Sequence, residues 1–165
     1  MTESTGPLRV HQLSLEADPE NRARLASEAR REVRSTAARW GVAGEALNDM
    51  TSIAGELLAN VADHAGSGQP HATLSLEPAE RRLHIEIADE CPRGPAVTAR
   101  IGDDRAEEGR GLLMVDALAD EWGVDRSATG KVVWADLLDV PVAEDAGPES
   151  AGPEEPAARS RDVSA

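Results

Sequence analysis

Glu56 and Asn60 stand four residues apart in the run Gly55-Glu56-Leu57-Leu58-Ala59-Asn60-Val61-Ala62-Asp63-His64-Ala65. On a helix that spacing stacks two side chains one turn apart on a single face. A carboxylate able to accept a proton would stand beside a carboxamide oxygen able to hold a hard cation, the pairing that a magnesium–nucleotide site asks of a helix. Ser52 and Asp63 continue the polar stripe. Leu47, Met50, Ile53, Ala54, Leu57, Leu58 and Val61 form the complementary apolar stripe by which such a helix packs on a core. Alone, the pair also fits an ordinary solvated helix face, because polar side chains at this spacing are common.

Two further positions carry chemistry of the same kind. Asp89 ends an alternating run and precedes the irregular Glu90-Cys91-Pro92-Arg93-Gly94-Pro95. A carboxylate at a strand end accepts hydrogen bonds, so it can read an exocyclic amino group such as that of adenine, or serve only as a turn residue. Gly109-Arg110-Gly111-Leu112 opens a later helical pattern. Glycines let a backbone approach a phosphate, and a helix N-terminus offers free N–H groups and the positive end of the dipole; a plain turn produces the same letters. His64 reads as a helix-terminal cap, Cys91 as a small loop residue, and Lys131 either as a surface charge or as a ligand contact.

The elements that must position these residues follow from periodicity. Leu8 to Leu15 alternates as a half-buried strand, with Val10 out of phase. Asp18-Pro19 supplies a cap and a first-turn proline for a helix marked by Leu25, Ala29, Val33, Ala37 and Trp40, and Gly41 stops it. The motif helix runs from about Gly44 to Ala65 and ends at Gly66-Ser67-Gly68. Residues 71–78 and 82–89 read as a hairpin around Glu77-Pro78-Ala79-Glu80. Gly111 to Asp120 is the third helix, and Glu121–Arg126 and Lys131–Leu137 are two more strands. Strand, two helices, two strands, helix, two strands is the segregated order of an α+β domain.

Composition bounds the function. A chain of 165 residues with 40% hydrophobic content is one domain with room for a core. It has no Phe or Tyr and only Trp40, Trp122 and Trp134 among aromatics, so base-stacking platforms are not expected. A net charge of −14 argues against direct nucleic-acid or anionic-membrane binding and for a protein partner. One cysteine excludes a disulfide framework and suits the cytoplasm, and neither a signal peptide nor an apolar run of about 18 residues is expected. Residues 1–7 read as a flexible N-terminus, 8–140 as the domain, and 141–165 as a disordered Pro/Glu/Ala tail. The tail holds six acids and two arginines, a net of −4, so −10 belongs to residues 1–140.

In this order and at these separations, the Glu56–Ala65 run, the Asp89 strand end and Gly109-Arg110-Gly111-Leu112-Leu113-Met114-Val115 resemble the N, G1 and G2 boxes of the GHKL (Bergerat-fold) ATPases and kinases. With Asp120-Glu121-Trp122-Gly123 and Gly130-Lys131-Val132-Val133-Trp134 the likeness extends from about Leu8 to Leu138, and it looks like the small stand-alone anti-sigma-factor serine/threonine kinases. The resemblance implies a two-layer α/β sandwich with a mixed, mostly antiparallel sheet, helices on one face, and ATP under a lid of residues 94–108. It implies that Glu56 is the general base, Asn60 the Mg²⁺ ligand, Asp89 the adenine reader, and Gly94, Gly109, Arg110, Gly111 and Leu112 the other nucleotide-side positions. One departure stands out: where the family's G1 box reads D-x-G-x-G, this chain has Asp89-Glu90-Cys91-Pro92-Arg93.

The function so implied is an ATP- and Mg²⁺-dependent kinase that docks a sigma factor or an anti-anti-sigma protein and phosphorylates a serine on the latter, with a homodimer allowed for. The alternative is a non-catalytic module of the same fold that sequesters a partner, with ATP structural or absent. The altered G1 box favours the alternative, and the intact Glu56/Asn60 pair favours the kinase.

Overall fold

The computed structural model describes residues 6–15, 22–64, 70–89, 107–128 and 130–143. Their elements are β1 (Arg9–Gln12), α1 (Arg22–Arg39), α2 (Gly44–His64), β2 (His71–Glu77), β3 (Arg82–Asp89), α3 (Glu107–Leu118), β4 (Glu121–Ser127) and β5 (Gly130–Leu137). The five strands form one sheet in the order β1-β2-β3-β5-β4. Every pairing is antiparallel, where a mixed, mostly antiparallel sheet was expected.

Two periodicities build the core. Alternation in β2 and β3 turns Ala72, Leu74, Leu76, Leu83, Ile85 and Ile87 to one side, where all are buried. On α2 the expected apolar stripe of Leu47, Met50, Ile53, Ala54, Leu57, Leu58 and Val61 is buried against them. Ala29, Val33 and Ala37 of α1 and Leu112 and Val115 of α3 join the same cluster. Each fully buried Leu, Ile, Val or Met side chain contributes about 1.5–3 kcal/mol, so the α2 stripe is the principal adhesive between the helical layer and the sheet.

Local signals fix the ends. Gly41, at φ 88°, ends α1. Its N–H donates to Ala38 O at 3.0 Å and that of Val42 to Ala37 O at 3.0 Å, the paired bonds of a Schellman stop. The Arg9 guanidinium donates to Trp40 O at 3.0 Å and ties β1 to that helix end. At the other end of β1, Glu32 of α1 accepts from Ser14 N at 3.1 and 3.2 Å and pairs with His11 Nε2 at 2.8 Å. The cap expected at Asp18-Pro19 lies outside the described residues.

The C-terminal boundary differs from the expected one. The hairpin turn closes through Arg81 at φ 51°, a conformation that costs a non-glycine residue about 1 kcal/mol. Residues after β5 clasp it. Val140 N donates to Arg81 O at 2.9 Å, and the Arg81 guanidinium reaches Asp139 O at 3.2 Å and Val140 O at 3.4 Å. Val140 is buried, Val142 bridges Val42, and Ala143 N donates to Gly41 O at 3.1 Å. The ordered pairing thus runs through residue 143 rather than stopping at 140.

Two outcomes follow. Ending the chain after Ala143 should leave the melting temperature nearly unchanged, because residues 144–165 lack the apolar side chains to dock. Ending it after Asp139 should cost about 2–4 kcal/mol, from one buried valine and the lost backbone bonds; equal melts for the two truncations would contradict this. The second outcome concerns Asp49 on α2, whose carboxyl is held above the usual carboxylate range by burial first, then by Glu45 and Asp120. A carboxyl with a raised folded-state pKa favours the fold below its unfolded pKa and loses that contribution as pH rises through the folded value. Asp49→Asn should therefore raise stability at pH 7 by under about 1 kcal/mol, the scale of partly exposed charges, with the gain vanishing near pH 3 in urea melts.

Candidate functional site

The polar stripe of α2 is not a free face. Asn60 is only 6% exposed and Glu56 is half-buried, because α3 packs along α2 on that side while α1 packs along another. Ser52 is half-buried too. Asp63 and His64 belong to α2, but their side chains lie outside the described residues.

Glu56 sits between two bare backbones. Arg30 of α1 places Nη2 3.7 Å from Glu56 Oε1. To get there its side chain crosses Gly55, where a Cβ would stand 2.3 Å from Nε and 2.8 Å from Cζ. On the α3 side, a Cβ on Gly111 would lie 2.7 Å from Glu56 Oε2. One carboxylate oxygen is therefore turned to a guanidinium and the other to a glycine backbone. Sequence reading missed Arg30. Its signal was Gly55, a mid-helix glycine that costs about 1 kcal/mol against alanine and so needs a packing reason.

Helix α3 begins at Glu107, four residues before the expected start. Two consecutive acids, Glu107 and Glu108, suit a helix N-terminus, where they offset the positive dipole end. Gly109, Arg110 and Gly111 consequently lie within the opening turns rather than in a preceding loop. The helix's open N–H groups belong to residues 107–110. Gly111 serves close approach to Glu56, and Leu112 is buried in the core, so only its backbone is available to a ligand. The side chains of Gly109's neighbours Glu108 and Arg110 are outside the described residues, as is Gly94.

Asp89 ends β3 at 3% exposure and shares the helix-facing parity of Leu83, Ile85 and Ile87. Its partner across the β3–β5 ladder is Lys131, itself buried. The Trp134 and Trp122 signatures have structural uses. The Trp134 ring lies over its cross-strand partner Gly123, where a Cβ would be 2.9 Å from Cζ2. On its other side it stacks on His84 with centroids 6.3 Å apart. His84 Nδ1 is 2.6 Å from the buried Asp136 Oδ1. The Trp122 indole N–H donates to Asp116 of α3 at 2.9 Å. Among the described residues no three His, Cys, Asp or Glu side chains converge as a metal cluster; a Mg²⁺ that takes most ligands from phosphate and water requires only one or two protein oxygens. Among the same residues no helix is long and apolar enough to cross a membrane.

Comparison with known proteins agrees with this architecture. The family model for the histidine kinase-like ATPase domain matches residues 17–137. An uncharacterized protein of Streptomyces coelicolor is 31% identical over 78 residues, 47% of this chain and 74% of that protein. Among solved structures, the RsbU and RsbW domains of a Mycobacterium tuberculosis protein align over 78% of this chain and 32% of theirs, with TM-score 0.56 and 18% identity. The histidine kinase domain of the blue-light-activated histidine kinase from Erythrobacter litoralis aligns over 78% of this chain and 62% of its own, with TM-score 0.47 and 19% identity. This chain spans about a third of the first structure and under two thirds of the second.

The two glycines give a test independent of any ligand. In Gly111→Ala the atom displaced is the end of the flexible Glu56 side chain, and in Gly55→Ala the half-exposed Arg30 side chain must swing aside from Cγ to Cζ. Each variant should stay within about 1 kcal/mol of the parent in urea unfolding, the helix propensity gained offsetting the crowding. Both should shift the Glu56 carboxyl ¹³C resonance. A loss of several kcal/mol, or an unmoved resonance, would show that the close approach described is not made.

Proposed function

This chain belongs to the family of histidine kinase-like ATPase domains, and from that premise we propose that it is an ATP-binding regulatory protein that transfers phosphate to a serine of an anti-anti-sigma-type partner. The observation that carries the reading is Glu56 on α2 with Oε2 turned to the bare Cα of Gly111 in the second turn of α3, and Asn60 buried one turn further along α2. A phosphate chain laid along the N-terminus of α3 would meet the free N–H groups of residues 107–110 and lie beside both side chains. Asn60, buried and with an amide oxygen to offer, fits a Mg²⁺ ligand. Mg²⁺, when bound, would neutralise charge on the phosphates.

The remaining chemistry falls to this chain. Glu56 would accept the proton of an attacking serine hydroxyl, and Arg30 would hold Oε1 so that Oε2 meets that hydroxyl. Asp89 would accept from the adenine amino group. Gly109, Arg110 and Gly111 would present the phosphate-side backbone, with Gly94 and the rest of residues 94–108 as the cover implied by the family resemblance. That resemblance also supports a sigma factor or an anti-anti-sigma protein as partner, and a cytoplasmic setting.

A second reading, a partner-sequestering module without catalysis, is favoured by one observation. Glu56 Oε1 stands 3.7 Å from the Arg30 guanidinium, so one oxygen of the carboxylate is already turned to a partner within the chain rather than to a substrate hydroxyl. The Cys91-Pro92-Arg93 sequence in the G1 box points the same way.

Calorimetry and transfer assays separate the two. ATP should bind in a Mg²⁺-dependent manner, and Asn60→Ala should remove the Mg²⁺ dependence. Glu56→Gln should keep Mg-ATP binding and partner docking but lower phosphate transfer by about 100-fold or more, the usual scale for removing a general base. Transfer from labelled ATP to an anti-anti-sigma-type protein is the readout. Transfer that Glu56→Gln leaves intact would overturn the kinase mechanism, and a parent that binds partner without ever labelling it would establish sequestration in its place.

A further inference from the structure

Lys131 is the only lysine in a chain whose other sixteen basic residues are arginine. It is 8% exposed and lies directly across the β3–β5 ladder from Asp89, which is 3% exposed. Both have the helix-facing parity, Asp89 with Ile87 and Ile85, and Lys131 with Val133 and Ala135. Directly opposed residues in an antiparallel pair have Cβ atoms about 4.5–5.5 Å apart, so the two functional groups work within one small volume. The pair sits at the C-terminal end of β3 and the N-terminal end of β5.

Burying an ammonium and a carboxylate is costly unless their charges are used together. A hydrophobic pair at this register position would be the cheaper way to fill a sheet, as Ile87–Val133 does two residues away. The retained pair presents one acceptor and one strong donor side by side. The Watson–Crick edge of adenine presents the complement, an N6 amino donor beside the N1 acceptor. An ammonium has three donors, so it can serve the neighbouring carboxylate and a base nitrogen at once.

Resting on the ATP reading above, we infer that Lys131 is a specificity-determining residue that donates a hydrogen bond to adenine N1 while Asp89 accepts from N6. The two residues read the base as a donor–acceptor pair. Hypoxanthine, with an acceptor at position 6 and a donor at N1, presents the reverse polarity at both positions and is rejected twice. A charged hydrogen bond at a buried site governs affinity by roughly 10- to 100-fold, so N1 recognition is measurable on its own.

The test uses the full chain and three nucleotides in isothermal titration with Mg²⁺: ATP, its 1-deaza analogue, in which N1 is replaced by C–H, and inosine triphosphate. For the parent, 1-deaza-ATP should bind about 10- to 100-fold more weakly than ATP, and inosine triphosphate more weakly still. Lys131→Met, checked for a native melting transition, should bind ATP and 1-deaza-ATP equally. The parent arm alone decides the matter should Lys131→Met fail to fold. Equal affinity of the parent for ATP and 1-deaza-ATP overturns the role of Lys131 and leaves ATP binding standing. Tighter binding of inosine or guanosine triphosphate than of ATP overturns the polarity assigned to the pair. No binding of any nucleotide overturns the ATP reading itself and this inference with it.

Discussion

Helix α2 has to bury most of its circumference, and one carboxylate on it cannot be buried alone. The rest of the arrangement follows from that constraint. The apolar stripe from Leu47 to Val61 is committed to the sheet, so Glu56 and Asn60 fall on a side that α1 and α3 also crowd. A half-buried carboxylate there gains from a cation or donors within reach. Arg30 supplies the cation from α1, and Gly55 supplies the room for its side chain to pass. Gly111 brings α3 close enough to present backbone rather than a side chain to the second oxygen. Two glycines within helices, each unfavourable by propensity, are thereby explained by one charged group.

Much of the fold was legible because its elements have strong, uninterrupted periods. The hairpin from His71 to Asp89, the α2 stripe and the Gly41 stop all rest on local rules, and the structure follows them residue by residue. What escaped was tertiary. The start of α3 was read at Gly111 because glycine usually marks a helix boundary, whereas Glu107 and Glu108 carry the helix four residues further toward the N-terminus. The domain was read as ending at Val140 from composition, yet Val142 bridges the distant Val42 and Ala143 N donates to Gly41 O. No local pattern announces a partner about a hundred residues away.

The site was legible in its types rather than its setting. Glu56, Asn60 and Asp89 were selected by residue chemistry and order; Glu56 lies half-buried against α1 and α3, and Asn60 and Asp89 are buried. The covering of the Glu56–Asn60 stripe could not be read from the sequence, because a helical period reports which side is apolar, not whether the polar side is also covered. Arg30 and the burial of Lys131 were invisible because each depends on a neighbour in another element. Conversely, Trp134 and Gly123 have a mechanical use. The indole fills the space that a bare Cα leaves on β4 and stacks on His84, whose ring nitrogen meets the buried Asp136. That chain of contacts stiffens β3, β5 and β4 on the face away from the helices, and so holds Asp89 and Lys131 in register on the other.

A net charge of −14 looks hostile to a polyanion such as ATP, and the resolution is one of range. Exposed charges are screened over about 8 Å at physiological ionic strength, so acids farther than that from the site act on it weakly. Charges at the site itself act at contact distance in a medium of lower effective dielectric, where each counts for several times more. Glu56 there has the Arg30 guanidinium beside it and Asp89 has the one lysine across the ladder, while the two acids that open α3 offset the positive dipole end of that helix. Net acidity of this size opposes long-range attraction to nucleic acids and anionic membranes, whereas a small anion held at contact distance by a few donors would be less affected.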